Sequence, residues 1–264
     1  MKKNKLARRG FIKASTFGLG GISLASMILP GELAATSNAS LVQDHKKLRV
    51  VCVGAHPGDP EFGCGGTMAK FALAGHLVTF LYLTRGEASD PSKSFAEMAA
   101  LRTKEAENSC RILQAKPLFA GQIDGNTILD KEKNDEMTKL LAAEEPDLVF
   151  THWPLDSHPD HQVAGMLTLT AWIRLTRKFP LFFYEVNTGS ETMGFTPTNY
   201  VDITDVREKK MTALLAHKTQ APEETYSSYF RKMEEFRGLE SGVNAAEGFI
   251  LFTDKANRST IMGL

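Results

Sequence analysis

A chain of 264 residues with 42% hydrophobic side chains is long enough for one domain with a sizeable core. Its 31 basic and 31 acidic residues cancel, so it lacks the basic surplus that a nucleic-acid partner requires. Cys52, Cys64 and Cys110 make no even disulfide framework and lack the spacing of a thiolate metal site, so they read as buried free thiols.

In chain order, residues 1–13 are basic and contain Arg8-Arg9-Gly10-Phe11-Ile12-Lys13, and residues 14–29 are uncharged, small and apolar. This resembles a twin-arginine export signal. The apolar part falls short of the roughly twenty residues of a membrane span, so cleavage near 33–36 is expected; an uncleaved signal would leave a membrane anchor. The expected location is periplasmic or extracellular, reached through the twin-arginine translocase. Residues 1–40 carry six of the basic and one of the acidic side chains, which leaves the rest with a net charge of about −5. The division is residues 1–40 for the signal and the start of a linker, 41–46 for the rest of the linker, a disordered tether, and 47–264 for one domain.

Apolar runs predict strands at 48–55, 77–84, 117–123, 147–153 and 181–186, and helical patterns fall between them at 65–75, 94–114, 131–144 and 161–178. Strands alternating with helices predict an α/β fold, a Rossmann-like, mostly parallel sheet with helices on both faces. Beyond it, 200–203 predicts an edge strand, 205–219 and 223–240 two polar helices, and 247–252 a last strand.

Two of the strand ends carry chemistry. Residues 55–66 read A-H-P-G-D-P-E-F-G-C-G-G, and His158-Pro159-Asp160-His161 follows the fourth strand. In an open parallel sheet, loops leaving the carboxyl ends of strands converge on one crevice. His56, Asp59 and His161 together offer two imidazole nitrogens and one carboxylate, which leaves a fourth tetrahedral position open, the pattern of a catalytic zinc site. His152, at the end of the fourth strand, is expected to line the pocket. Arg85, in the loop after the second strand with Glu87 nearby, is expected to contact the substrate. The G-x-G-G string at 63–66 lacks dinucleotide-binding spacing and is read as a close helix start.

These motifs resemble the LmbE-like, or PIG-L, family of zinc-dependent N-acetylglucosaminyl deacetylases. The similarity runs over about residues 48–251, with support from Thr84-Arg85-Gly86-Glu87, Ala216-His217-Lys218-Thr219-Gln220 and Ala246-Glu247-Gly248-Phe249. The resemblance implies one Zn2+ on His56, Asp59 and His161, an oxyanion-stabilising role for His158, and as substrate an N-acylated amino sugar or glycoconjugate. Asp160 either orients a histidine or caps a helix.

Gly58 departs from the family, which usually carries there the Asp that moves the proton from water to the leaving amine. A metal lowers the pKa of its water and polarises the amide carbonyl, but general acid–base assistance is worth about 10²–10⁴-fold more. Glu61 and Asp160 are the candidates to replace it. Two readings follow: an exported metal-dependent deacylase of amino sugars, or a catalytically weak or silent carbohydrate-binding homologue that keeps the zinc. The oligomeric state is open.

Overall fold

The computed structural model of the chain describes residues 46–188 and 191–253. The expected export signal and nearly all of its tether lie outside the described residues. The described chain runs β1 (Arg49–Gly54), α1 (Asp59–Leu73), β2 (Leu77–Tyr82), α2 (Phe95–Leu113), β3 (Ala115–Phe119), α3 (Lys131–Glu144), β4 (Leu148–His152), α4 (Pro159–Arg174) and β5 (Leu181–Tyr184). Then follow β6 (Asn199–Asp202), α5 (Arg207–Leu214), a 3₁₀ turn (Lys218–Gln220), α6 (Pro222–Thr225), a π turn (Tyr226–Phe230), α7 (Arg231–Ser241) and β7 (Ala246–Phe252).

The seven strands form one sheet in the order β3-β2-β1-β4-β5-β7-β6. The first five are parallel, and β7 pairs antiparallel with both β5 and the edge strand β6. Parallel strands are covered on both faces, so their side chains are apolar on both. Val50 and Cys52 of β1 enter a core with α1, α2 and α5, while Val51 and Val53 enter a second core with α3 and α4. Strand order reverses direction between β1 and β4, so the loops after them diverge and leave a crevice at that point. His56 follows β1 and His158 to His161 follow β4.

Helix starts are chemically marked. Ser94 caps α2 in a reciprocal pair with Glu97, and Asp130 caps α3 by accepting from the Lys133 N–H. The largest difference from the sequence expectation is α1, which begins at Asp59 rather than 65. Pro60 in the first turn suits a helix start, and a kink at Cys64 (φ −147°, ψ 19°) lets the glycine-rich part follow. Likewise β3 ends four residues early, α4 starts at Pro159, and the second polar helix is split by the π turn.

Candidate metal and active site

Gly58 is the N-cap of α1 at φ 108° and ψ −37°, a conformation that glycine adopts at least cost. It turns the chain so that His56 and Asp59 meet. The His56 N–H donates to Asp59 Oδ2 at 2.8 Å, and His56 Nδ1 lies 3.1 Å from the same oxygen. His161, in the first turn of α4, brings its Nε2 to 3.3 Å from Asp59 Oδ2. One donor atom from each of the three residues falls within 4.8 Å of the others.

The outward ring nitrogens are held by carboxylates. His56 Nε2 lies 3.1 Å from Asp160 Oδ2 and 3.1 Å from Asp124 Oδ1, and His161 Nδ1 lies 3.2 Å from Asp156 Oδ1. Such partners fix the tautomer and aim the inner nitrogen at a cation. This donor set fits a divalent metal of the zinc type, with two imidazoles and one carboxylate. Burial opposes charge on His56, but Asp59, Asp124 and Asp160 hold its pKa well above the usual imidazole value. Burial opposes charge on His161 too, and Asp59 and Asp156 still raise it to about 9. Burial would raise Asp59, yet His161 and His56 draw it well below the usual carboxylate range.

The remaining expected site residues divide sharply. His158 caps α4, its Nδ1 accepting from the Asp160 N–H at 3.2 Å, so the neutral ring carries its proton on Nε2 as a donor. Its ring centre is 4.9 Å from that of His56 and 4.6 Å from that of His161. Asp160 has both carboxylate oxygens engaged. Its oxygens accept from Gly125 N–H and Thr127 Oγ1, as well as facing His56, and these partners overcome burial and lower its pKa.

Glu61 has both oxygens engaged as well. Its Oε1 accepts from Tyr82 Oη at 2.7 Å and faces His217 Nε2 at 2.9 Å, while Oε2 accepts from the Gly58 N–H at 3.1 Å. The carboxylate is therefore spent on holding the metal loop. His152 is fully buried, stacked on His161 with centroids 4.1 Å apart. The Ala55 N–H donates to His152 Nε2 at 3.0 Å, so that nitrogen cannot also donate to Asp59 Oδ2 at 3.4 Å, and the ring proton sits on Nδ1. Burial and the nearby His161 charge lower its pKa to about 4.

Arg85 points elsewhere, donating to Thr103 Oγ1 and lying over the Phe119 ring at 4.1 Å. The arginine that reaches the site is Arg102 of α2, whose Nη2 donates to the Pro57 carbonyl at 2.6 Å. It passes over Gly86, where a Cβ would stand 2.1 Å from its guanidinium. Sequence reading missed Arg102, Asp124 and Asp156. The two aspartates carried one usable signal, their place in loops leaving β3 and β4.

Fold and site thus define an α/β protein with a metal-type His/Asp/His centre at the strand-end crevice. Residues 51–172 match the sequence model of the family described as PIG-L, GlcNAc-PI de-N-acetylase. A diacetylchitobiose deacetylase of Thermococcus kodakarensis is 32% identical over 218 residues, 76% of this chain and 81% of that one. A probable N-acetyl-alpha-D-glucosaminyl L-malate deacetylase of Bacillus subtilis is 27% identical over 72% of this chain and 88% of its own length. The solved N,N'-diacetylchitobiose deacetylase of Pyrococcus horikoshii superposes with a TM-score of 0.68 at 30% identity, over 77% of this chain and 83% of that one. The chain belongs to the PIG-L, or LmbE-like, deacetylase family.

Proposed function

We propose that the protein hydrolyses the N-acetyl, or more broadly N-acyl, amide of an amino sugar, using one zinc-type divalent ion on His56, Asp59 and His161. The observation that carries this reading is the convergence of those three donors, each histidine backed by a carboxylate. When bound, the ion supplies Lewis acidity to the water and the amide carbonyl. His158 offers its Nε2–H to the oxygen on which negative charge develops. Asp160 and Asp156 keep the two ligand histidines in place, and Arg102 and Glu61 hold the loop between them by its Pro57 carbonyl and Gly58 N–H.

The usual Asp is absent at Gly58, and Glu61 and Asp160 are both engaged, so turnover is expected to fall about 10²–10⁴-fold below that of relatives carrying the base. The test is acetate release from N-acetylglucosamine, N,N'-diacetylchitobiose and larger N-acetylated glycoconjugates by zinc-reconstituted protein. Release matched by free amine supports the proposal. Saturable binding of all of them without acetate would make the protein a silent carbohydrate-binding homologue instead.

Export belongs to the same proposal and is supported by Arg8-Arg9 ahead of an uncharged apolar stretch. Arg8→Lys with Arg9→Lys should trap precursor in the cytoplasm; continued export would point to another route.

A further inference from the structure

We propose that Cys52 and Cys64 are an internal cross-linking site, a buried pair of thiols that a disulfide oxidant converts into a bond fastening the two ends of the metal loop. Both are free thiols, fully buried, and twelve positions apart in sequence. Their Sγ atoms stand 2.8 Å apart, closer than unbonded sulfur atoms usually rest and about 0.8 Å beyond the length of a disulfide bond.

Close approach of α1 to the sheet brings them together. A Cβ on Gly54 of β1 would stand 2.5 Å from Pro60, and one on Gly63 would run into the Tyr184 ring, so side chains at these positions would lift the helix off the strands. Cys52 is held in place, because β1 pairs on both sides, with β2 and with β4. Cys64 has the freedom to move. It sits at the kink of α1, at φ −147° and ψ 19°, so its sulfur can close the remaining gap without breaking a continuous helical turn. Cys110 stands apart, its Sγ 3.5 Å from Tyr82 Oη.

Between the two sulfurs the chain carries His56, Gly58, Asp59 and Glu61. A bond would therefore turn the metal loop into a closed ring anchored in β1. Such a ring loses conformations chiefly in the opened and unfolded states, which favours the folded loop. The bond itself stands independently of the functional reading above.

The chemistry needs an oxidant that carries a disulfide, R–S–S–R, and the compartment to which export would lead is one where disulfides persist. Burial pushes both thiols up, so a reactive thiolate forms only when the start of α1 opens. Cys64 then attacks one sulfur of the oxidant; the oxidant's S–S bond breaks, and the first R–S⁻ leaves and takes up the Cys64 proton. As the helix closes, Cys52 attacks Cys64 Sγ and expels the second R–S⁻, which takes up the Cys52 proton. Two protein thiols are oxidised, one disulfide is reduced, and two R–SH are released.

The test incubates reduced, metal-free protein with oxidised glutathione in urea just below the unfolding transition, then alkylates it after complete unfolding. The bond should leave one alkylated cysteine, Cys110, and a peptide joining Cys52 to Cys64 in the mass spectrum. Oxidation should lower the unfolding equilibrium constant about 10²-fold, in wild type and in Cys110→Ala alike, and should give no such gain in Cys64→Ala. Three alkylated cysteines would overturn the site, as would glutathione held on the protein in place of an internal bond, or a cross-linked peptide containing Cys110. These readings come from the wild-type chain and stand even where a cysteine variant fails to fold. An oxidised form no more stable than the reduced one would overturn the fastening role. Failure of the functional proposal reads differently: the bond forms and stabilises, while no sugar yields acetate.

Discussion

Gly58 brings the family's chemistry and this chain's backbone into conflict. A Cβ there would meet only Phe62 at 3.5 Å and His217 at 4.0 Å, so space for a side chain exists, but φ is +108°. Holding a non-glycine residue in the left-handed half of the map costs roughly 1–2 kcal/mol. Gly58→Asp should therefore lower the melting temperature and weaken metal binding without raising acetate release. Higher turnover at an unchanged melting temperature would show that the loop accepts the carboxylate. His161 gives a second residue-scale prediction. Without metal its imidazolium balances Asp59 and Asp156, with the pKa raised from 6.5 to about 9. A raised pKa stabilises the folded state fully below pH 6.5, and that contribution, ~3 kcal/mol at most, is lost as pH rises through about 9. Metal needs the neutral ring, so zinc uptake should release protons and its apparent affinity should climb with pH until about 9. Calorimetry in buffers of different ionisation enthalpy measures the proton release. His161→Ala should remove both the release and the bound metal, and unchanged zinc stoichiometry in that variant would refute the ligand assignment.

At the scale of elements, α1 is held to its neighbours through Glu61. Tyr82 comes from β2, His217 from the turn after α5 and Gly58 from the loop itself, and all three meet one buried carboxylate. Glu61→Gln keeps the shape but turns an acceptor into a donor facing a donor, and an unpaired buried polar group costs about 1–3 kcal/mol. Zinc affinity and stability should fall together, with any loss of kcat removed at saturating metal; a kcat loss of 10²-fold at full occupancy and normal stability would restore Glu61 as a base. This network also explains what was legible. The candidate donors His56, Asp59 and His161 were readable as a group because each sits in a compact motif directly after an apolar strand. The partners of Glu61 and Asp160 were not readable, since a carboxylate two residues from Asp59 or one residue from His161 points wherever its helix turns it. Asp124 and Asp156 look like ordinary turn residues until the loops fold onto the histidines. Arg102 lies in a helix where an arginine is unremarkable, and the start of α1 was hidden by glycine and proline, whose low propensity is overridden by packing.

The whole molecule depends on how its antiparallel end is fastened to the parallel half that carries the site. Strands β7 and β6 and helices α5 and α7 come after His161 in sequence, yet Glu247 of β7 accepts from the Gly66 and Thr67 N–H groups of α1 at 2.8 and 2.7 Å. Those groups are exposed by the kink at Cys64, so Glu247 supplies the bonds that the broken helix cannot. Lys210 of α5 completes the joint, its Nζ 2.7 Å from Glu247 and 2.9 Å from Glu234 of α7, with all three side chains buried. Burial would lower the Lys210 pKa, but the two carboxylates raise it far above its usual value, so it stays charged. Removing it leaves the buried Glu247 carboxylate without a cation and Glu234 with Arg207 alone, at 2.8 Å, a loss of about 3–5 kcal/mol. Lys210→Met, which keeps the bulk of the chain, should thus lower the denaturant midpoint strongly, and the triple replacement with Glu234→Leu and Glu247→Leu should not recover it, because the Gly66 and Thr67 N–H groups would remain unpaired. Lys210→Met with Glu247→Gln should recover part of the loss by removing the stranded charge while keeping one acceptor for the α1 N–H groups. Equilibrium urea unfolding of these variants gives the comparison. A Lys210→Met midpoint equal to wild type would mean that the two ends of the sheet are held by apolar packing alone, with Phe249 against Phe150 and Phe182 as the seam.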